Sequence, residues 1–273
     1  MGRCIFVKWM IRVDMEGLTG IVSMEQVIPG GSEYHVGLQM LGHDLQAVLD
    51  GLLQGEEDEV WLYDIHFFGR NVDLSRLESR VKAICGKPDY NKSNGAFVDA
   101  SFDGVILLGL HAKSETPGAL LHHNYEHDIR SMKVNGLSVG EIGLEALMAG
   151  ESGVPLVLVT ADSEGCKEAE ALLPGTLTVC VKQSLGNASA LCYPPAITGP
   201  KLRAAAKSCA SVAAQLKPYV IEGPIELEMA FYDGPLLQRL RGNEFTDQTA
   251  SDTFIFTGSN VVDAWEKYLK AKV

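Results

Sequence analysis

Apolar residues along this chain follow two alternating rhythms. Nearly unbroken apolar runs at residues 4–13, 59–63, 104–110 and 155–160 have the pattern of strands covered on both faces, as in a parallel sheet. Between and after them the apolar positions recur every three or four residues. Val36, Leu38, Leu41, Leu45, Val48, Leu49 and Leu52 predict a helix over 33–53, and similar spacing predicts helices over 139–150 and 163–173, the last stopped by Pro174-Gly175. This succession predicts an α/β fold: a mostly parallel sheet flanked by helices. From about residue 192 the character changes. Pro194, Pro195, Gly199 and Pro200 punctuate the chain, an Ala-rich helix follows over 200–217, and strands at 223–231 and 253–257 precede a final helix. The expected organisation is an α/β catalytic domain over 1–195 with a smaller C-terminal α+β portion, 196–273, packed on it.

Composition narrows the function classes. With 46% hydrophobic residues over 273 positions, the chain can bury a substantial core. Its formal net charge of −12 opposes attachment to nucleic acid or to anionic lipid, so neither is an expected partner. Cys4, Cys85, Cys166, Cys180, Cys192 and Cys209 form no C-x-x-C pair, which fits reduced thiols and a cytoplasmic location better than a disulfide framework or a zinc ribbon. No apolar run approaches the ~20 residues of a membrane span. Nucleotide-binding glycine patterns and a G-x-S-x-G nucleophile elbow are both absent.

The candidate chemistry lies where the apolar runs end, the edge at which α/β sheets bind ligands. Asp14-Met15-Glu16-Gly17 follows the first run, and alternation along an extended chain points Asp14 and Glu16 the same way. Asp64 and His66 follow the second run and His111 the third, while Glu141 stands near a helix start. Each has a plainer reading taken alone. The D-x-E pair suits a solvated strand end, Asp64 suits a turn or a partner for the His66 imidazole, and Glu141 complements a helix dipole. Together, two histidines and three carboxylates from distant segments make a ligand set for a pair of divalent ions with one bridging carboxylate. The mixed nitrogen and oxygen donors favour zinc, with manganese or cobalt as substitutes.

The motifs Val13-Asp14-Met15-Glu16-Gly17, Asp64-Ile65-His66, Leu108-Gly109-Leu110-His111-Ala112 with Thr116-Pro117-Gly118, Val139-Gly140-Glu141-Ile142-Gly143 and Val181-Lys182-Gln183 occur in this order. In these residues the chain resembles the zinc-dependent D-aminopeptidases, over essentially its whole length. The resemblance implies that Asp14, Glu16, His66, His111 and Glu141 hold two zinc ions, with Asp14 bridging. It also implies that N-terminal D-amino acids such as D-Ala are cleaved from short peptides by a metal-bound hydroxide. His122 falls on the family's catalytic histidine, although His123 adjoins it and His127 is near. Lys113 stands where the family's type member has arginine, the stretch from Tyr125 to Lys133 reads as a divergent loop, and Lys113 and Lys182 are the candidate substrate contacts. A self-compartmentalising homo-oligomer, a decamer in the type member, is implied too. Two other functions fit the same residues: a metallohydrolase acting on another amide or ester, and a metal-binding protein without turnover.

Overall fold

The computed structural model describes residues 6–89, 96–243 and 247–273. Among the described residues the strands are β1 (Lys8–Val13), β2 (Glu59–Asp64), β3 (Val81–Ile84), β4 (Gly104–Leu110), β5 (Ile129–Val134), β6 (Leu137–Val139), β7 (Leu156–Asp162), β8 (Leu177–Ser184), β9 (Ala190–Cys192), β10 (Ile225–Phe231), β11 (Asp247–Ala250) and β12 (Thr253–Gly258). The α-helices are α1 (Tyr34–Leu52), α2 (Glu141–Glu151), α3 (Ser163–Leu172), α4 (Pro195–Ala213), α5 (Pro235–Leu240) and α6 (Val261–Ala271). Residues 4 and 5, expected to open the first strand, lie outside the described residues.

A seven-stranded sheet runs in the order β3-β2-β1-β4-β7-β8-β9. All its pairings are parallel except that of β9 with β8. Alternation along β1 sorts its side chains: Trp9, Ile11 and Val13 join the core shared with Leu45 and Val48 of α1 and Leu202 of α4. Met10 joins Ile142 and Ala146 of α2 and Cys166 of α3 on the opposite face. Helices therefore cover both faces, as the apolar runs required, and the α/β expectation holds.

A second, antiparallel sheet follows the order β11-β12-β10-β5-β6. The 196–273 portion supplies three of its strands, and β5 and β6, from residues 129–139, supply the rest. The loop expected from Tyr125 to Lys133 is thus corrected, because Ile129, Met132 and Val134 point into the core of this sheet. The Ala-rich helix begins at Pro195, not at 200, and Pro200 lies within it. It packs on the first sheet with α1.

Helix α2 lies between the layers. Residues Glu141 to Gly150 are all buried, with Leu144, Leu147 and Met148 in the core of the second sheet and Ile142, Ala146 and Ala149 in that of the first. A helix apolar on every side has this position as its natural place.

Candidate metal centre

The carboxyl ends of β1, β2 and β4 converge because the strands are adjacent and in register, with Val13 beside both Asp64 and Leu108. Two glycines let the ends approach. A Cβ on Gly17 would lie 1.7 Å from the Leu110 carbonyl oxygen, and Gly109, at φ +77°, sits where a Cβ would come 2.4 Å from the Asp14 carbonyl oxygen. Backbone bonds close the seam, from Asp14 N–H to the Leu108 carbonyl (2.8 Å) and from Gly17 N–H to that of Gly109 (2.7 Å).

The convergence brings Asp14, Glu16, His66, His111 and Glu141 together, all buried. Asp14 Oδ1 lies 2.8 Å from His66 Nδ1, and its other oxygen, Oδ2, lies 3.4 Å from His111 Nε2. Glu16 Oε2 is 3.2 Å from His66 Nδ1, and Glu141 Oε1 is 3.3 Å from His111 Nε2. Each imidazole is tied at its far nitrogen: His66 Nε2 donates to the Val27 carbonyl (2.9 Å) and His111 Nδ1 to that of Ala112 (3.0 Å). A carbonyl only accepts, so the neutral rings present lone pairs, not N–H groups, to the carboxylates.

Lone pairs facing carboxylate oxygens demand a cation between them. Asp14 Oδ2, Glu16 Oε2 and His111 Nε2 are buried yet lie in no hydrogen bond, a costly state for polar atoms. One potential ligand atom from each of Asp14, Glu16 and His111 lies within 4.8 Å of the others. This donor set fits zinc.

Protons substitute where no metal is held. Burial works against a charge on His66, but Glu16 and Asp14 outweigh it and lift this imidazole well above its ordinary value. His111, opposed by burial and favoured chiefly by Glu141, rises to about 10. Burial, with Glu16 close by, raises Asp14 to about 7. Glu16 and Glu141 are buried too, but His66 and His111 respectively overcome that burial and hold them below the usual carboxylate range.

Asp64 does not hold the His66 imidazole. Its carboxylate takes the Asn71 backbone N–H (2.6 Å) and side-chain amide (2.9 Å), and the same amide bonds the His66 carbonyl (3.0 Å), so Asp64 secures the loop that carries the ligand. Lys113 is directed to Ser138 Oγ (3.1 Å). Lys182 is fully buried, its Nζ donating to the carbonyls of Glu16 (2.6 Å) and Leu18 (2.7 Å). It braces the Asp14–Glu16 loop from inside, shielded from solvent.

Sequence reasoning missed the support for Glu141. Arg12, buried in β1, pairs with Glu145, one helical turn after Glu141 on α2. Tyr125 joins the two acids by donating its hydroxyl to Glu145 (2.8 Å) and its backbone N–H to Glu141 (2.6 Å). A lone arginine inside an apolar strand was the available signal.

The adjacent histidines differ. His122 Nδ1 accepts the Glu115 N–H (3.2 Å), so its Nε2 carries the proton. His123 has the reverse arrangement: Nδ1 donates to the Leu121 carbonyl (2.9 Å), leaving Nε2 bare. Burial and the nearby His111 lower both, His123 to about 4.

The chain has relatives among known proteins. A family model described as D-aminopeptidase, peptidase family M55, matches residues 7–269. A D-aminopeptidase of Bacillus subtilis (strain 168) is 31% identical over 195 residues, 71% of this chain and 70% of the relative. The solved structure of a zinc-dependent D-aminopeptidase from B. subtilis, described as a self-compartmentalizing protease, superposes with a TM-score of 0.90 at 26% identity, covering 97% of this chain and 96% of that one.

Proposed function

This chain belongs to the D-aminopeptidase family, and from that premise we propose that it is a zinc-dependent aminopeptidase removing N-terminal D-amino acids, such as D-Ala, from short peptides. The observation that carries the reading is the set of buried, unpartnered atoms on Asp14, Glu16 and His111. In this reading Asp14 would be shared between the two ions, since its two oxygens face different imidazoles. Glu16 and His66 would complete one position, and His111 with Glu141 the other. Zinc bound there, with manganese or cobalt as substitutes, supplies Lewis-acid polarisation of the scissile carbonyl and acidifies a water.

The remaining work falls to the chain. His122 is the catalytic histidine in this proposal. Its pKa is depressed, so the ring is neutral at pH 7, and its Nε2–H is free to donate to the developing oxyanion or to deliver a proton to the leaving amine. Lys182 keeps the Glu16 and Leu18 carbonyls in place, and the Arg12–Glu145 pair with Tyr125 orients Glu141. Assembly into a closed homo-oligomer, the decamer expected by resemblance, belongs to the same reading and is checked by sedimentation.

The test pairs zinc analysis with hydrolysis of D-Ala-D-Ala, D-Ala amide and their L counterparts. Turnover of the D substrates by zinc-loaded protein is expected. Hydrolysis of the L forms alone would sink the assignment. His122→Ala is expected to keep its zinc and lose turnover ~10²–10⁴-fold; zinc loss in this variant would make His122 a ligand instead.

A further inference from the structure

We infer that His123 is an additional metal ligand, joining His111 and Glu141 at the second position. The inference rests on the zinc reading above and extends it to a residue outside the expected ligand set. Three observations support it. One potential ligand atom from each of His111, His123 and Glu141 lies within 4.8 Å of the others. The His123 ring is stacked on His111 at a centroid distance of 4.2 Å and 11° between planes, so the two rings lie against each other in nearly parallel planes beside the same carboxylates. The Leu121 carbonyl takes the Nδ1 proton, which leaves the Nε2 lone pair as a Lewis base and unable to donate a hydrogen bond to substrate.

That last point separates His123 from its neighbour. His122 carries its proton on Nε2 and suits donation, whereas His123 carries it on Nδ1 and suits coordination. The ring is held on its other face by the exposed His127, stacked at 4.4 Å and 22°. Its orientation is fixed before any ion arrives, a requirement for a ligand site.

X-ray absorption at the zinc edge of the full-length, zinc-loaded protein counts the imidazoles directly. The wild type is expected to show His66, His111 and His123 shared between two ions. His123→Ala loses one imidazole, and the more weakly held zinc dissociates at least about tenfold more readily in a chelator competition. His127→Ala keeps the wild-type count and affinity. His123→Asn, which retains a polar group, repeats the measurement if the alanine variant fails to fold, judged by circular dichroism without metal. A wild type with two ions and two imidazoles, or unchanged zinc affinity in the folded His123 variants, overturns this inference and leaves the zinc reading standing. A wild type that takes up no zinc overturns both.

Discussion

Two buried carboxylates, Asp14 and Asp44, occupy the same neighbourhood and have opposite character. Asp44, on α1, is completely satisfied: Thr19 donates its backbone N–H and its hydroxyl, each at 2.8 Å, and His43 Nδ1 lies 2.8 Å away. Thr19 also meets Thr198 of α4 at 3.0 Å. This closed network fastens the loop after β1 to two helices. Asp14, five residues before Thr19, belongs to a cluster in which three atoms have no hydrogen-bond partner. Burial alone does not distinguish structure from function here. The distinction is whether the polar atoms are already answered.

The comparison is broken most severely at Asp14. Asp14→Ala removes the carboxylate whose two oxygens face different imidazoles, and zinc affinity is expected to fall by more than ~10²-fold at both positions, beyond the loss for an outer partner. Elemental analysis after gel filtration reads this, and retention of either ion would disprove the bridge. Asp44→Ala should do the reverse. It strands the Thr19 N–H in a buried setting while the hydroxyl keeps Thr198, at a cost of about 1–3 kcal/mol of stability, seen in chemical denaturation, and the zinc content stays at the wild-type level. Zinc loss in a folded Asp44 variant would show that the two networks are one.

A smaller effect sharpens the contrast through pH. The metal-free His111 keeps its proton to about 10, above its ordinary 6.5. The stability it contributes is complete below about 6.5 and is lost as pH rises towards 10. The metal-free protein should therefore melt progressively lower across that window, while zinc-loaded protein, with no proton left to lose there, changes less. Zinc binding at neutral pH should release protons, measurable by calorimetry in buffers of different ionisation enthalpy. Equal pH dependence with and without zinc would contradict the cluster's electrostatics.

The parallel sheet was legible because strands covered on both faces write their burial as uninterrupted apolar runs, as at Gly104–Leu110. The ligand-bearing strand ends were legible for the same reason, since polar residues closing such runs stand out. The second sheet was harder to read. β5 mixes Arg130, Ser131 and Lys133 with its inward residues, and β6 has only three residues, two of them exposed. The tautomers of His122 and His123 were hidden altogether, because each is set by one backbone contact, with Glu115 or with Leu121, that no local spacing encodes. Arg12 stood out in its apolar strand, but its partner lay 133 positions later on another element.

Helix α2 ties the chemistry to the body of the molecule. Glu141 begins a helix clamped between two cores and anchored by Glu145 to Arg12 of β1. A carboxylate on a surface loop can swing out and release its charge to water, but this one is mounted like a bearing in a press fit. It cannot leave without dragging a close-packed helix through both interiors. Tolerance at the centre is therefore set by packing along the helix, and a methyl group lost from Leu144 or Met148 becomes an alignment error at the ligand.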